Sequence, residues 1–179
     1  MPADLSNVQF DKVHGLLGSQ GGFTVNPHTG REITSGISVA PYGNSKVVPV
    51  GDSTPDVLQH YAEANLRRFG PEGGRNASLG GWRSEDSDFF DTPTVYKHTP
   101  GGEAGARKQM VLSRQEAGFD LDSFEEVFNP FHEEGRRKTG REPHELAVGH
   151  DSSRERAEWV LQQPEVQAWV NFPRNGRRG

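Results

Sequence analysis

The chain has 179 residues, a net charge of −5 and no cysteine. The lack of cysteine excludes disulfides, thiolate zinc sites, iron–sulfur ligation and cysteine nucleophiles. Only 31% of residues are apolar, while glycine (22) and proline (12) are abundant, so turns take more than their usual share and part of the chain is expected to lean on a partner for order.

The opening residues, MPADLSNVQFDKVHGLLGSQGG, lack the basic start and apolar run of a secretory signal. No stretch approaches the roughly 20 apolar residues of a membrane span. Residues 4–17 carry a weak apolar stripe, Val8, Val13, Leu16 and Leu17, that predicts a short helix ended by the following glycines. Phe23-Thr24-Val25 predicts a strand, and Asn26-Pro27-His28-Thr29-Gly30 a turn, because proline presets φ and glycine permits positive φ. Gly36-Ile37-Ser38-Val39-Ala40 alternates like a half-buried strand. Lys46-Val47-Val48-Pro49-Val50 predicts a third strand, at a sheet edge because of Pro49.

The clearest helix spans 55–69. Thr54 suits the N-cap and Pro55 the first helical position, and Val57, Leu58, Tyr61, Ala62, Leu66 and Phe69 share one face. Leu79–Arg83 and Phe89-Phe90-Asp91 predict a hairpin, with Val95 and Tyr96 continuing beyond Pro93. A second helix is expected over 103–115, then a short strand at Phe119-Asp120-Leu121, and at 123–128 a turn of helix or extended chain. Residues 132–145 are dense in charge and read as a solvated connector. A third helix is expected from Asp151-Ser152, and Pro164 starts a further piece with Val166, Trp169 and Val170. The end, Pro173 to Gly179, is basic.

Several segments resemble a module of small uncharacterised proteins from actinobacteria and their phages. They are Gly22-Phe23-Thr24-Val25, Thr34-Ser35-Gly36-Ile37-Ser38-Val39, Gly80-Gly81-Trp82, Asp88-Phe89-Phe90-Asp91, and an Ala/Arg-rich helix running into Gly118-Phe119-Asp120-Leu121. The similarity covers about residues 21–127, and departs from the pattern at Phe90, where leucine is expected, and at Gly118-Phe119, where Ala-Ile is expected. It implies a phage or actinobacterial setting and carries no assigned activity. The chain is accordingly expected in a bacterial cytoplasm or a phage virion.

No catalytic, cofactor or metal site is predicted. His144 and His150 flank Glu145, but the second histidine stands at i+6, about 240° around a helix rather than on the shared face that i+4 gives. The run Gly101–Lys108 lacks P-loop spacing, no Ser or Thr follows Lys108, and Glu103 repels phosphate. Arg31, Ser35 and Glu125-Glu126 stand wrongly for an ADP-ribosyltransferase, since Arg31 and Ser35 are too close in sequence to come from separate strands. No Gly-x-Ser-x-Gly elbow exists. Asp86, Asp88 and Asp91 read as hairpin charge rather than an EF-hand loop.

The expected architecture is α+β: a small antiparallel or mixed sheet with two packed helices, plus an extended helical C-terminal arm. Residues 1–20 form an N-terminal arm or short helix, 21–127 the core domain, and 128–179 the connector and arm. Trp159, Leu161, Val166, Trp169, Val170 and Phe172, with Arg174, Arg177 and Arg178, are the expected partner-binding residues, because two short helices split by Pro164 cannot bury that surface alone. The expected function is a non-enzymatic phage-associated structural or accessory protein, with the virion as one setting, acting through contacts with other protein subunits. The alternatives are a phage-encoded host-modulating or toxin-related enzyme, and, more weakly, a nucleic-acid-binding accessory protein. No membrane partner is expected.

Overall fold

The computed structural model describes residues 4–69 and 77–172. In chain order the first elements are α1 (Phe10–Gln20), β1 (Gly22–Val25), β2 (Ile37–Val39), β3 (Lys46–Pro49), α2 (Pro55–Ala64), α3 (Leu66–Phe69), β4 (Leu79–Arg83) and β5 (Ser87–Asp91). They are followed by β6 (Thr94–Tyr96), α4 (Pro100–Leu112), β7 (Ala117–Asp120), β8 (Glu125–Phe128), α5 (Glu133–Lys138), α6 (Arg154–Leu161) and α7 (Pro164–Val170). The fold is α+β with two four-stranded antiparallel sheets, β1-β4-β5-β3 and β6-β2-β7-β8. Where one sheet was expected there are two, and the chain divides into two compact units: Met1–Thr34 with Gly43–Thr94, and Ser35–Tyr42 with Val95–Gly179. These boundaries differ from the expected segments 1–20, 21–127 and 128–179. The physical reason is strand pairing. Ile37 and Ser38 pair with Asp120 and Phe119, so a segment near the start of the chain joins the second sheet.

In the first unit, the inner face of the sheet presents Phe23, Val25, Val48, Leu79 and Phe90 to a core shared with Val13 and Leu17 of α1 and Leu58, Tyr61 and Ala62 of α2. Helix α1 begins later than expected and ends at Gly21, whose φ of 84° is the left-handed C-cap conformation. Helix α2 starts where the sequence indicated: Pro55 occupies the first turn and the Thr54 side chain accepts a hydrogen bond from the Val57 N–H. The single helix expected over 55–69 breaks at Asn65, whose side chain donates to the Tyr61 carbonyl. Val57 and Leu66 lie half-buried against the core. Strand β3 is an edge strand, as Pro49 required.

In the second unit, α4 packs Ala106 and Met110 on Ile37 and Val39 of β2. Thr99 caps it by accepting from the Gly102 N–H. Gly101, Gly102 and Gly105 all lie inside this helix, which starts three residues before the expected 103. A Cβ at Gly102 would overlap the Lys97 carbonyl, and one at Gly105 would come 3.1 Å from the Tyr96 ring. On its other side α4 contributes Val111 to a core with Phe131, Val148, Ala157, Val160, Leu161, Val166 and Val170. The C-terminal helices are therefore not an extended arm. They are packed on α4, and Arg107 of α4 donates to the carbonyls of Trp169, Val170 and Phe172 at the end of α7, where the helix leaves acceptors unpaired. The charge-dense connector holds a real helix, α5, because His132 caps it and Glu133 and Glu134 precede Arg136, Arg137 and Lys138 along its dipole.

Two glycines with the same backbone but different surroundings test how tightly the first unit is packed. Gly30 (φ 71°) has no space for a side chain, because a Cβ would overlap the Asn7 carbonyl, whereas Gly43 (φ 70°) faces open space. Gly43→Ala should cost only the left-handed penalty of about 1–2 kcal/mol, and Gly30→Ala about 1–3 kcal/mol more from overpacking. Urea unfolding of the two variants measures the difference.

Deleting residues 153–179 should unfold the second unit, because it uncovers Val111, Phe131 and Val148. Hydrogen exchange should then show lost protection over 95–149, while the strands of 22–25 and 79–91 keep theirs.

Candidate functional site

The residues expected to bind a partner separate into three groups. Leu161, Val166 and Val170 are buried in the core against α4 and are corrected from interface to core. Their apolar faces were real, and the chain covers them with its own helix. Trp169 is half-buried, with its ring against Phe131 and Arg107. Trp159 and Phe172 are exposed, at 50% and 59%, and Arg156 lies over the Trp159 ring at 4.9 Å. Arg174, Arg177 and Arg178 lie outside the described residues. The other basic cluster is occupied: Arg137 pairs with Glu134, Lys138 with Glu116, and Arg136 donates to the Pro130 and Glu142 carbonyls.

A different apolar surface is open on the first unit. Trp82 pairs with Phe89 and Phe89 with Val47 across β4, β5 and β3. Side chains directly opposite in an antiparallel sheet share a face, so the three form one row on the side away from the core. Trp82 and Phe89 stack with centroids 4.0 Å apart and planes 2° from parallel. Trp82 is 48% exposed and Val47 56% exposed. The hairpin expected from Leu79–Arg83 and Phe89-Phe90-Asp91 is present as β4 and β5. Burying Phe90 inward is what forces Phe89 outward.

The same unit brings together histidine, serine and aspartate, in the wrong order for hydrolysis. His14 Nε2 lies 2.8 Å from Ser53 Oγ, and the Ser53 side chain is among the neighbours that favour the charge on Asp88. The serine stands between the other two, whereas a nucleophilic triad needs the histidine in the middle. Asp88 is fully buried and held by Arg83 through two bonds of 2.7 and 2.8 Å. Burial opposes its charge, but Arg83, and after it Ser53, hold its carboxyl below the usual range.

In the second unit, His98, Asp120 and Asp122 form a compact group. His98 Nε2 lies 3.1 Å from Asp120 Oδ1 and 2.8 Å from Asp122 Oδ2, and Nδ1 lies 3.2 Å from Glu103 Oε1. Asp120 is the last residue of β7, and Asp122 lies in the β7–β8 turn. Asp120 is buried and accepts the Asp122 and Ser123 N–H groups, while Asp122 accepts the Gly36 N–H and the Ser35 hydroxyl. The ADP-ribosyltransferase reading of Ser35 thus gives way to a hydroxyl committed to Asp122. Both ring nitrogens of His98 face carboxylate oxygens, which only accept, so in the absence of another cation the ring is an imidazolium. Burial opposes that charge, but the carboxylates outweigh it and raise the His98 pKa. Sequence reasoning missed this group because its members stand at 98, 103, 120 and 122, on three elements and without motif spacing.

The two histidines of the rejected zinc motif have separate partners. His144 faces Glu165 at 3.1 Å, while the His150 ring meets His132 edge to face at 4.9 Å. His132 is fully buried, and its Nδ1 accepts from the Glu134 and Gly135 N–H groups. Nδ1 must therefore be unprotonated.

No family model, curated protein or solved structure matches the chain. Among the described residues, no helix is long and apolar enough to cross a membrane.

His132 predicts a pH dependence. Desolvation first, and then His150, lower its pKa below the ordinary 6.5, with the charges of Glu116 and Glu133 opposing. The unfolded chain takes up this proton before the folded one does, so the contribution to stability is complete above about pH 6.5 and declines as pH falls toward the folded value. In thermal unfolding between pH 7.5 and 5, His132→Asn, which keeps a capping oxygen, should lose less stability than the wild type.

Proposed function

We propose that this is a non-enzymatic protein that works by binding other protein subunits, as a structural or accessory component. The setting that the sequence resemblance suggests is an actinobacterial phage, with the protein in the bacterial cytoplasm or the virion. The observation that carries the reading is the row Trp82–Phe89–Val47, which keeps a stacked aromatic pair half-open to solvent on a rigid sheet. Tryptophan anchors of this kind are enriched where protein surfaces meet. Trp159 and Phe172 on the second unit offer further exposed aromatic surface. The inverted order of His14, Ser53 and Asp88 removes the constellation that most resembled a hydrolase.

The test is a photo-crosslinking amino acid placed at position 82 in the full chain, expressed in an actinobacterial host during phage infection. A discrete protein adduct that disappears with Val47→Ser supports the reading. Adducts absent throughout infection, with particle yield unchanged by a Trp82→Ser/Val47→Ser variant, overturn it. The double variant should fold normally, since exposed substitutions usually shift stability by less than about 0.5 kcal/mol.

A further inference from the structure

We propose that the group centred on His98 is a divalent-cation site, with His98 Nε2, Asp120 and Asp122 as ligands and Glu103 as the carboxylate that orients the histidine.

Four observations converge on this assignment. The first is spacing. Ligands at about 2.1 Å from a metal and at right angles to one another lie about 3.0 Å apart. The His98 Nε2 distances to Asp122 Oδ2 and Asp120 Oδ1 are 2.8 and 3.1 Å, so the nitrogen stands at this separation from each oxygen, and the three ligand atoms all lie within 4.8 Å of one another.

The second is the partner of the other ring nitrogen. A metal-bound histidine characteristically donates its remaining N–H to a carboxylate, which fixes the tautomer and the ring plane. His98 Nδ1 faces Glu103 Oε1 at 3.2 Å, and Glu103 is held on α4 directly after its Thr99 cap. With a metal at Nε2, the histidine is the neutral Nδ1–H tautomer and every contact in the group has a donor and an acceptor.

The third is charge. Against the three carboxylates of Asp120, Asp122 and Glu103, an imidazolium leaves two negative charges uncompensated, whereas a dication leaves one. The fourth is preorganisation. Backbone N–H groups of Asp122, Ser123 and Gly36 and the Ser35 hydroxyl hold both aspartates in place, so that binding orders little that is not already ordered. His98 and Asp122 keep 26% and 32% of their side-chain surface exposed, which leaves an approach for the ion and room for water to complete its shell.

The cation class follows from the donors. One imidazole with carboxylate oxygens suits Mn²⁺ and its divalent first-row neighbours better than a thiolate-seeking ion.

The experiment titrates Mn²⁺ into the full chain after chelator dialysis and reads free Mn²⁺ by electron paramagnetic resonance. One equivalent should bind. His98→Ala and Asp122→Asn should each weaken binding at least tenfold, Glu103→Gln about tenfold, and Glu125→Gln/Glu126→Gln should leave it unchanged. If the His98 and Asp122 variants fail to fold, paramagnetic broadening in the wild-type NMR spectrum locates the ion. Signals of residues 35–36, 98 and 120–123 should broaden before those of 154–161. Absence of binding at millimolar Mn²⁺, binding insensitive to Asp122→Asn in folded protein, or broadening centred elsewhere overturns the assignment.

Discussion

Helix α4 is apolar on two sides, and the second unit exists because both must be covered. Ala106 and Met110 point to the sheet and Val111 to the C-terminal helices. One side takes strand β2, brought in from residues 37–39; the other takes α6 and α7. Between the two sides Arg107 is buried, and its guanidinium is committed to the last carbonyls of α7. A buried arginine is costly unless its donors are met, and the end of a helix is a place where unpaired acceptors are concentrated. That match fixes where α7 stops on α4 in a way that apolar packing, which has no direction, does not.

The first unit solves a different problem, a thin sheet between helices and solvent. Its inner face carries aromatic bulk only because glycine faces it: a Cβ on Gly81 would stand 2.6 Å from the Phe23 ring. The outer face carries the Trp82–Phe89 stack beside Gly22, where a Cβ would come 2.9 Å from the Gly81 carbonyl. Glycine abundance here is less a mark of looseness than the means by which large rings lie flat against a backbone. Elsewhere on the sheet, burial lifts the Asp91 carboxyl to about 7, and the carboxylate sits where a Gly80 side chain would otherwise be.

Histidines do three separate jobs in the second unit, distinguished by what each ring nitrogen meets. His132 accepts N–H groups and closes a helix; His98 faces carboxylates on both nitrogens; His144 accepts the Leu146 N–H and faces Glu165. The same side chain is thus a neutral acceptor in one place and a cation or metal ligand in another. Burial, which is the largest influence on His132, and the sign of the groups around each ring together separate them.

Much of the local structure was legible in the residues themselves. Thr54-Pro55 marked a helix start, Pro49 an edge strand, the alternation at 36–40 a strand, Phe89-Phe90-Asp91 the return strand of a hairpin, and the C-terminal apolar residues two helices. These signals are local: capping, φ restriction and side-chain period act within a few residues. The helix α5 escaped because its cap is a histidine, a role ordinarily taken by short oxygen-bearing side chains. What only the tertiary structure decided was pairing across distance. Residues 35–42 leave one unit to join the sheet of the other, the C-terminal helices meet α4 rather than an outside partner, and His98 meets Asp120, Asp122 and Glu103. Each of these depends on register between segments tens of residues apart. Apolar periodicity says that a face must be covered, but it carries no label for the element that covers it.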